Sequence, residues 1–163
     1  MQLLTNNRNP HLSFPPAPAA GPVRKEVVLR RMDGTTYVTI HYNPSTNRVV
    51  SDWQGYYATP ANFKNGLLAE VRMIEETKAT TWLADLSDIK TSIKDHMQWI
   101  AETVSPLAVA AGVKAEAVVL PQSRFIKHET EATVNAIVQA GSLTIKFFSS
   151  RSEAQAWLDA QAA

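Results

Sequence analysis

Apolar and polar positions along this chain change period several times, and each change marks an element. The segment KEVVLRRM is mostly apolar at its centre and runs into Asp33-Gly34, a tight-turn pair in which glycine accepts positive φ without strain. TTYVTIHYN then alternates, with Tyr37, Thr39 and His41 on one side and Val38, Ile40 and Tyr42 on the other. Pro44-Ser45-Thr46-Asn47 reads as a polar turn. RVVSDWQGYYAT reads as a third strand, with Gly55 a bulge or a point of close approach. Together these segments predict an antiparallel meander.

The period then becomes helical. Thr59 is placed to cap a helix whose first residue is Pro60. Phe63, Leu67, Val71 and Ile74 form its inward stripe, widened by Leu68, and Glu70, Glu75, Glu76 and Lys78 are assigned to its solvated face. TTWLADLSDI has the continuous apolar start of a strand covered on both faces. Ser92 is the expected cap of a second helix, which buries Ile93, Met97, Ile100 and Val104; Pro106 breaks or kinks it, and Gly112 ends the apolar LAVAAG. AEAVVL reads as a fifth strand. HETEATVNAIVQAG reads as a third helix with Val134, Ile137 and Val138 inward and Gly141 as its stop. LTIKFF is the last strand, and Ser150 with Glu153 forms a capping box for a final helix that buries Ala154, Trp157 and Leu158. The expected fold is α/β: a mixed sheet of five or six strands with about four helices packed on it, starting near Pro60, Ser92, His128 and Ser152.

Residues 1–22 differ from the rest. HLSFPPAPAAGP is too rich in proline for a packed helix or central strand and predicts a flexible tail, or an arm that docks Leu12 and Phe14 on a second copy of the chain. The α/β domain is expected over residues 23–163. A length of 163 residues suits one such domain. No cysteine is present, which removes disulfides and thiolate chemistry and suits a cytoplasmic setting. The start MQLLTNNRNP has no secretory pattern, and no apolar run is long enough to span a bilayer. The net charge of +1 predicts no nucleic-acid footprint, although Arg8, Arg24 and Lys25 make the first 25 residues basic.

Candidate chemistry is sparse. His11, His41, His96 and His128 lie on separate elements, with no pair spaced to hold a metal, and His96 is read as a surface residue. No cofactor motif is seen. Asp85 and Asp88 end the fourth strand, on the edge of an open α/β sheet where ligands usually sit. No nucleophile, oxyanion site or phosphate-binding glycine loop accompanies them, so no enzymatic activity is expected. Trp53, Tyr56, Tyr57, Trp82, Trp99 and Trp157 are candidates for core or for an apolar pocket. Trp99, with Leu107 and Val109 of LAVAAG, could form a movable flap over a cavity that takes a small apolar ligand.

The order of several motifs resembles a known group. An N-P-x-x-N turn, WQGYYATPANF, WLADLSDI, a helix containing QWI, LAVAAGVKAEAVVLP and FFSSRSEAQAWL follow one another over residues 36–160. The series resembles the STAS-like group related to the bacterial anti-sigma-factor antagonist SpoIIAA, especially the stand-alone version common in Bacteroidetes. That resemblance implies a mixed sheet with helices against it, and a regulatory module acting through a protein partner; the docking arm makes a homodimer a further expectation. In the regulatory relatives a serine after the DLS strand, at a helix N-terminus, is phosphorylated. The matching positions are Thr91 and Ser92, in D-I-K-T-S-I-K where those relatives have D-S-S-G-L. The related CRAL-TRIO lipid carriers share the general fold and imply the alternative, a carrier or sensor of a small apolar ligand, including one that works at a membrane surface.

Overall fold

The computed structural model describes residues 25–56, 59–122 and 133–162. The proline-rich segment, with Leu12 and Phe14, lies outside them. Seven strands form one mixed sheet in the order β1-β2-β3-β4-β5-β7-β6. Strands β1 (Glu26–Arg30), β2 (Thr36–Asn43) and β3 (Arg48–Gly55) make the expected antiparallel meander. Asp33-Gly34 turns the first hairpin with Gly34 at φ 89°. Strands β4 (Thr81–Ile89), β5 (Ala115–Val119) and β7 (Leu143–Phe148) continue the sheet in parallel from β3, and β6 (Ile137–Ala140) pairs antiparallel with β7 at the far edge.

Helix α1 (Pro60–Thr77) connects β3 to β4 and starts as predicted: the Thr59 hydroxyl accepts the Asn62 N–H at 3.1 Å. Between β4 and β5 runs a composite helix, α2. It comprises a 3-10 turn (Lys94–His96), an α-helical turn (Met97–Trp99), a π-helical stretch (Ile100–Val104) and an α-helical end (Ser105–Ala111). Pro106 therefore does not break the helix. It has no N–H to donate, and the π-helical turn just before it, closed by Ser105 N–H to the Ile100 carbonyl, accommodates the proline within a continuous element. Gly112 ends α2 at φ 102°, its N–H shared by the Ala108 and Val109 carbonyls. The third helix among the described residues, α3 (Arg151–Ala162), follows β7.

The strands' alternation sends residues to two cores. On one face α1 and α2 cover Val38, Ile40, Val49, Trp53, Trp82 and Leu143 with the stripe Phe63, Leu67, Val71 and Ile74. On the other, α3 sets Ala154 and Leu158 against Val50, Leu83, Ala117 and Val119. Arg48, buried under α3, reaches Asp159 at 2.8 Å and donates to the Thr81 hydroxyl at 3.1 Å. At the other end of the helix Arg151 holds Asp52 and Asp85. Helix α3 is thus tied to β3 and β4 at both ends.

Three expectations are corrected. The expected helix over HETEATVNAIVQAG is absent where it is described: residues 133–135 form a turn and Ile137–Ala140 is a strand, so the described residues hold seven strands instead of five or six and three helices instead of about four. Ile137 is 59% exposed, not inward. The spacing of Val134, Ile137 and Val138 fits a helix, but the run is β-branched and followed by Gly141-Ser142. It folds back as a hairpin on β7, with Gly141 at φ 62° as its turn rather than a helix stop. Glu70, assigned to the solvated face of α1, is 0% exposed. Leu68, assigned to the stripe, is 38% exposed.

Candidate functional site

The sheet face under α1 and α2 holds a cavity of 330 Å³. Its floor is a sequence of cross-strand neighbours. Trp82 on β4 lies beside Val49 on β3 and Glu116 on β5; Ala84 lies between Ser51 and Val118. Its roof is α2, through Ile93, Met97, Ile100 and Val104. The helix stripe read from the sequence is thus the stripe that faces the cavity, although Met97, expected to be buried, is exposed. Two of the candidate aromatics, Trp53 and Trp82, line it. Trp157 packs on Phe148 across the sheet, at 5.7 Å between ring centres, and Tyr56 is exposed. Tyr57 lies outside the described residues.

The flap residues singled out in the sequence do not line the cavity. Trp99 packs against the edge of the core, with the Lys64 ammonium 5.1 Å from its ring centre. Leu107 is exposed, and Val109 packs toward Gly141. The element was identified correctly but its covering residues were not: Trp99 lies two residues from Met97, about 200° around a helix, and so turns away from the space that Met97 faces. His96 is also corrected. It is buried, its ring 4.6 Å from that of Phe63, and burial, helped by the Lys64 charge, lowers its pKa.

The cavity wall carries two carboxyls that sequence reasoning missed. Glu116 lines it at 9% exposure. Glu70 lies behind, where Trp82 Nε1 donates to its Oε1 at 3.2 Å. The Ser51 hydroxyl and the Trp53 indole also face Glu70 and favour its charged form, but neither makes a well-formed hydrogen bond, and Glu70 Oε2 has no partner. Burial pushes Glu70 up to about 7, against these donors. Burial, and then the neighbouring Glu70, push Glu116 up to about 8. The available signal was Glu116 itself: an acid inside the apolar AEAVVLP, in a strand with neighbours on both sides.

Asp85 and Asp88 lie on the opposite side, at the carboxyl end of β4. A shallow polar depression there also includes Asp52, Ser87 and Arg151. Asp52 and Asp85 are direct cross-strand neighbours, an unfavourable pair of like charges that Arg151 bridges. Asp85 Oδ1 accepts both the Ser87 N–H, at 2.9 Å, and its hydroxyl, at 2.6 Å, while Oδ2 takes Arg151 at 3.1 Å. With both oxygens engaged, Asp85 is arranged to anchor α3. Arg151→Met is expected to lower stability by about 1–2 kcal/mol, the scale of a partly exposed charge-assisted hydrogen bond. Asp52→Asn in that background should recover most of the loss in urea melts, because it removes the repulsion left behind. Asp88 is exposed.

Thr91 and Ser92 fall between β4 and α2, where the sequence placed them. Ser92 Oγ accepts the Lys94 N–H at 3.2 Å, next to the first turn of α2, which begins at Lys94. Thr91 Oγ1 is buried without a hydrogen-bond partner. Among the described residues no group of three histidine or acidic side chains could hold a metal, and no helix is long and apolar enough to cross a membrane. No family model matches this chain, and no curated protein or solved structure matches it.

Proposed function

We propose that this chain is a STAS-like, non-enzymatic binding module that holds a small apolar ligand between its sheet and α2, as a carrier or sensor in the cytoplasm. The observation that carries this reading is the 330 Å³ cavity, lined almost entirely by apolar side chains and roofed by the least regular helix of the fold. Sites for small molecules have this size and character. A π-helical turn next to a proline makes α2 easier to displace than an unbroken α-helix. The motif order, and a mixed sheet with helices against it, support the STAS-like assignment.

A neutral dye whose fluorescence rises in apolar surroundings is expected to bind once per chain. Native mass spectrometry of freshly purified protein is expected to reveal a retained small molecule. Ala84→Leu places three more carbons in the cavity from its floor. It should abolish dye binding while leaving stability equal or about 1 kcal/mol higher, since it fills space rather than displacing neighbours. Dye binding unchanged by Ala84→Leu would place the dye elsewhere and remove the reading.

A protein partner is the second reading. It is favoured by the position of Thr91 and Ser92, which join β4 to the helix that roofs the cavity. Occupancy under α2 would then alter the surface that starts at Ser92, joining ligand and partner in one regulatory module. Phosphorylation at Ser92, found by mass spectrometry of protein from its native cells, would support this reading.

A further inference from the structure

We propose that the cavity is built for an apolar amine, whose hydrocarbon body fills the space under α2 and whose N–H groups are accepted by Glu116, with Glu70 behind it. The inference rests on the cavity being a ligand site and adds the chemical class of its occupant.

Glu116 is the only ionisable side chain that lines the cavity among the described residues. It is nine-tenths buried, and its carboxyl accepts no hydrogen bond from any described residue. A valine there would pack like its neighbours, whereas a buried carboxyl without a partner costs several kcal/mol. That cost is offset when a ligand supplies the missing donor. Glu70 extends the same character inward: its Oε2 is fully buried and unpartnered, and Trp82 reaches only Oε1.

The sign of the charge follows from the same residues. Among the described residues the lining contains no lysine, arginine or histidine. An ammonium group would meet one carboxyl directly and a second behind it, in surroundings where charge interactions are only weakly screened. A fatty-acid carboxylate would meet the same two acids, and the described lining offers it no cation. Size is set by the volume, which lies at the small end of the range for small-molecule sites.

The test is a matched series, n-octylamine, n-octanol and n-octanoate, titrated into the full chain at neutral pH. Trp53 and Trp82 line the cavity and report occupancy by fluorescence, with calorimetry as a second readout. Octylamine is expected to bind about tenfold or more tighter than octanol, the scale of one charge-assisted hydrogen bond, and octanoate weaker than octanol. Glu116→Gln, nearly isosteric, should erase the advantage of the amine over octanol. Glu70→Gln should reduce it. Equal affinity for amine and alcohol in the unaltered protein, or octanoate binding best, would overturn the amine assignment while the cavity stands as an apolar site. Binding by none of the three would overturn the ligand site itself. The ligand comparison needs no variant, so it decides the matter even if a glutamine substitution impairs folding.

Discussion

Raising the pH from about 5 to about 9 is expected to destabilise the fold by several kcal/mol, and Glu70→Gln with Glu116→Gln is expected to remove most of that dependence. Burial holds Glu70 at about 7 and Glu116 at about 8, both far above the ordinary value of 4.5. In the unfolded chain both ionise near that ordinary value. Between the unfolded and folded values the native state keeps protons that the unfolded state has lost, so stability falls as pH rises. The contribution is fully present below about pH 4.5 and is lost as the pH climbs through the two folded values. His96 acts in the opposite sense, because its pKa is lowered, but its effect ends by its ordinary value of 6.5. Above that pH the two glutamates dominate. Urea midpoints measured across the range should fall, most steeply just below neutrality, and level off above about pH 8. A flat or rising profile in the unaltered protein would mean that these carboxyls are not buried together.

Gly66→Ala is expected to cost about 2 kcal/mol, although alanine favours helices by nearly 1 kcal/mol over glycine. Gly66 lies in α1 where the helix meets β3. A Cβ there would come 2.3 Å from Cη2 of Trp53. The indole cannot yield easily: Trp53 is 1% exposed, with the Tyr37 and Phe63 rings at 6.1 and 5.1 Å. Forcing atoms into such a core costs about 1–3 kcal/mol beyond any propensity gain. Trp53→Phe removes the ring atoms that the new methyl would strike. The double variant should therefore be more stable than the sum of the two single changes predicts, and additive losses would show that the contact is not the cause.

These residues show where a single sequence becomes opaque. The meander, the Thr59-Pro60 helix start and the parallel strands WLADLSDI, AEAVV and LTIKFF were all legible, because period and turn chemistry agreed at each. Gly55 was also legible as a point of close approach, since a Cβ there would lie 3.1 Å from the Arg31 guanidinium. The β6 segment was not, because the spacing of Val134, Ile137 and Val138 is helical and only the open edge of β7 decides against a helix. At the site, the α2 stripe was readable but its counterpart was not. Whether Glu70 faces water depends on how far α1 sinks toward the sheet. Gly66 permits that approach, and its role becomes visible only when Trp53 is seen beneath it. Glu116 was present as an anomaly in an apolar run, but nothing local links it to a carboxyl on another element.

The π-helical turn also governs which changes of length α2 can accept. Such a turn holds one residue more than the α turn it replaces, so His96 before it and Ala108 after it are both buried. A deletion elsewhere in the helix would rotate everything downstream by about 100° and turn Ala108 outward. A deletion within Ile100–Val104, at the exposed Glu102 for example, would preserve both orientations but place Pro106 in a regular α turn, against the carbonyl four residues back. The extra residue and the proline are therefore one joint trait. A lineage could lose both together and gain a straight, unbroken helix, but it could not shed the extra residue while keeping the proline without straining the turn between them.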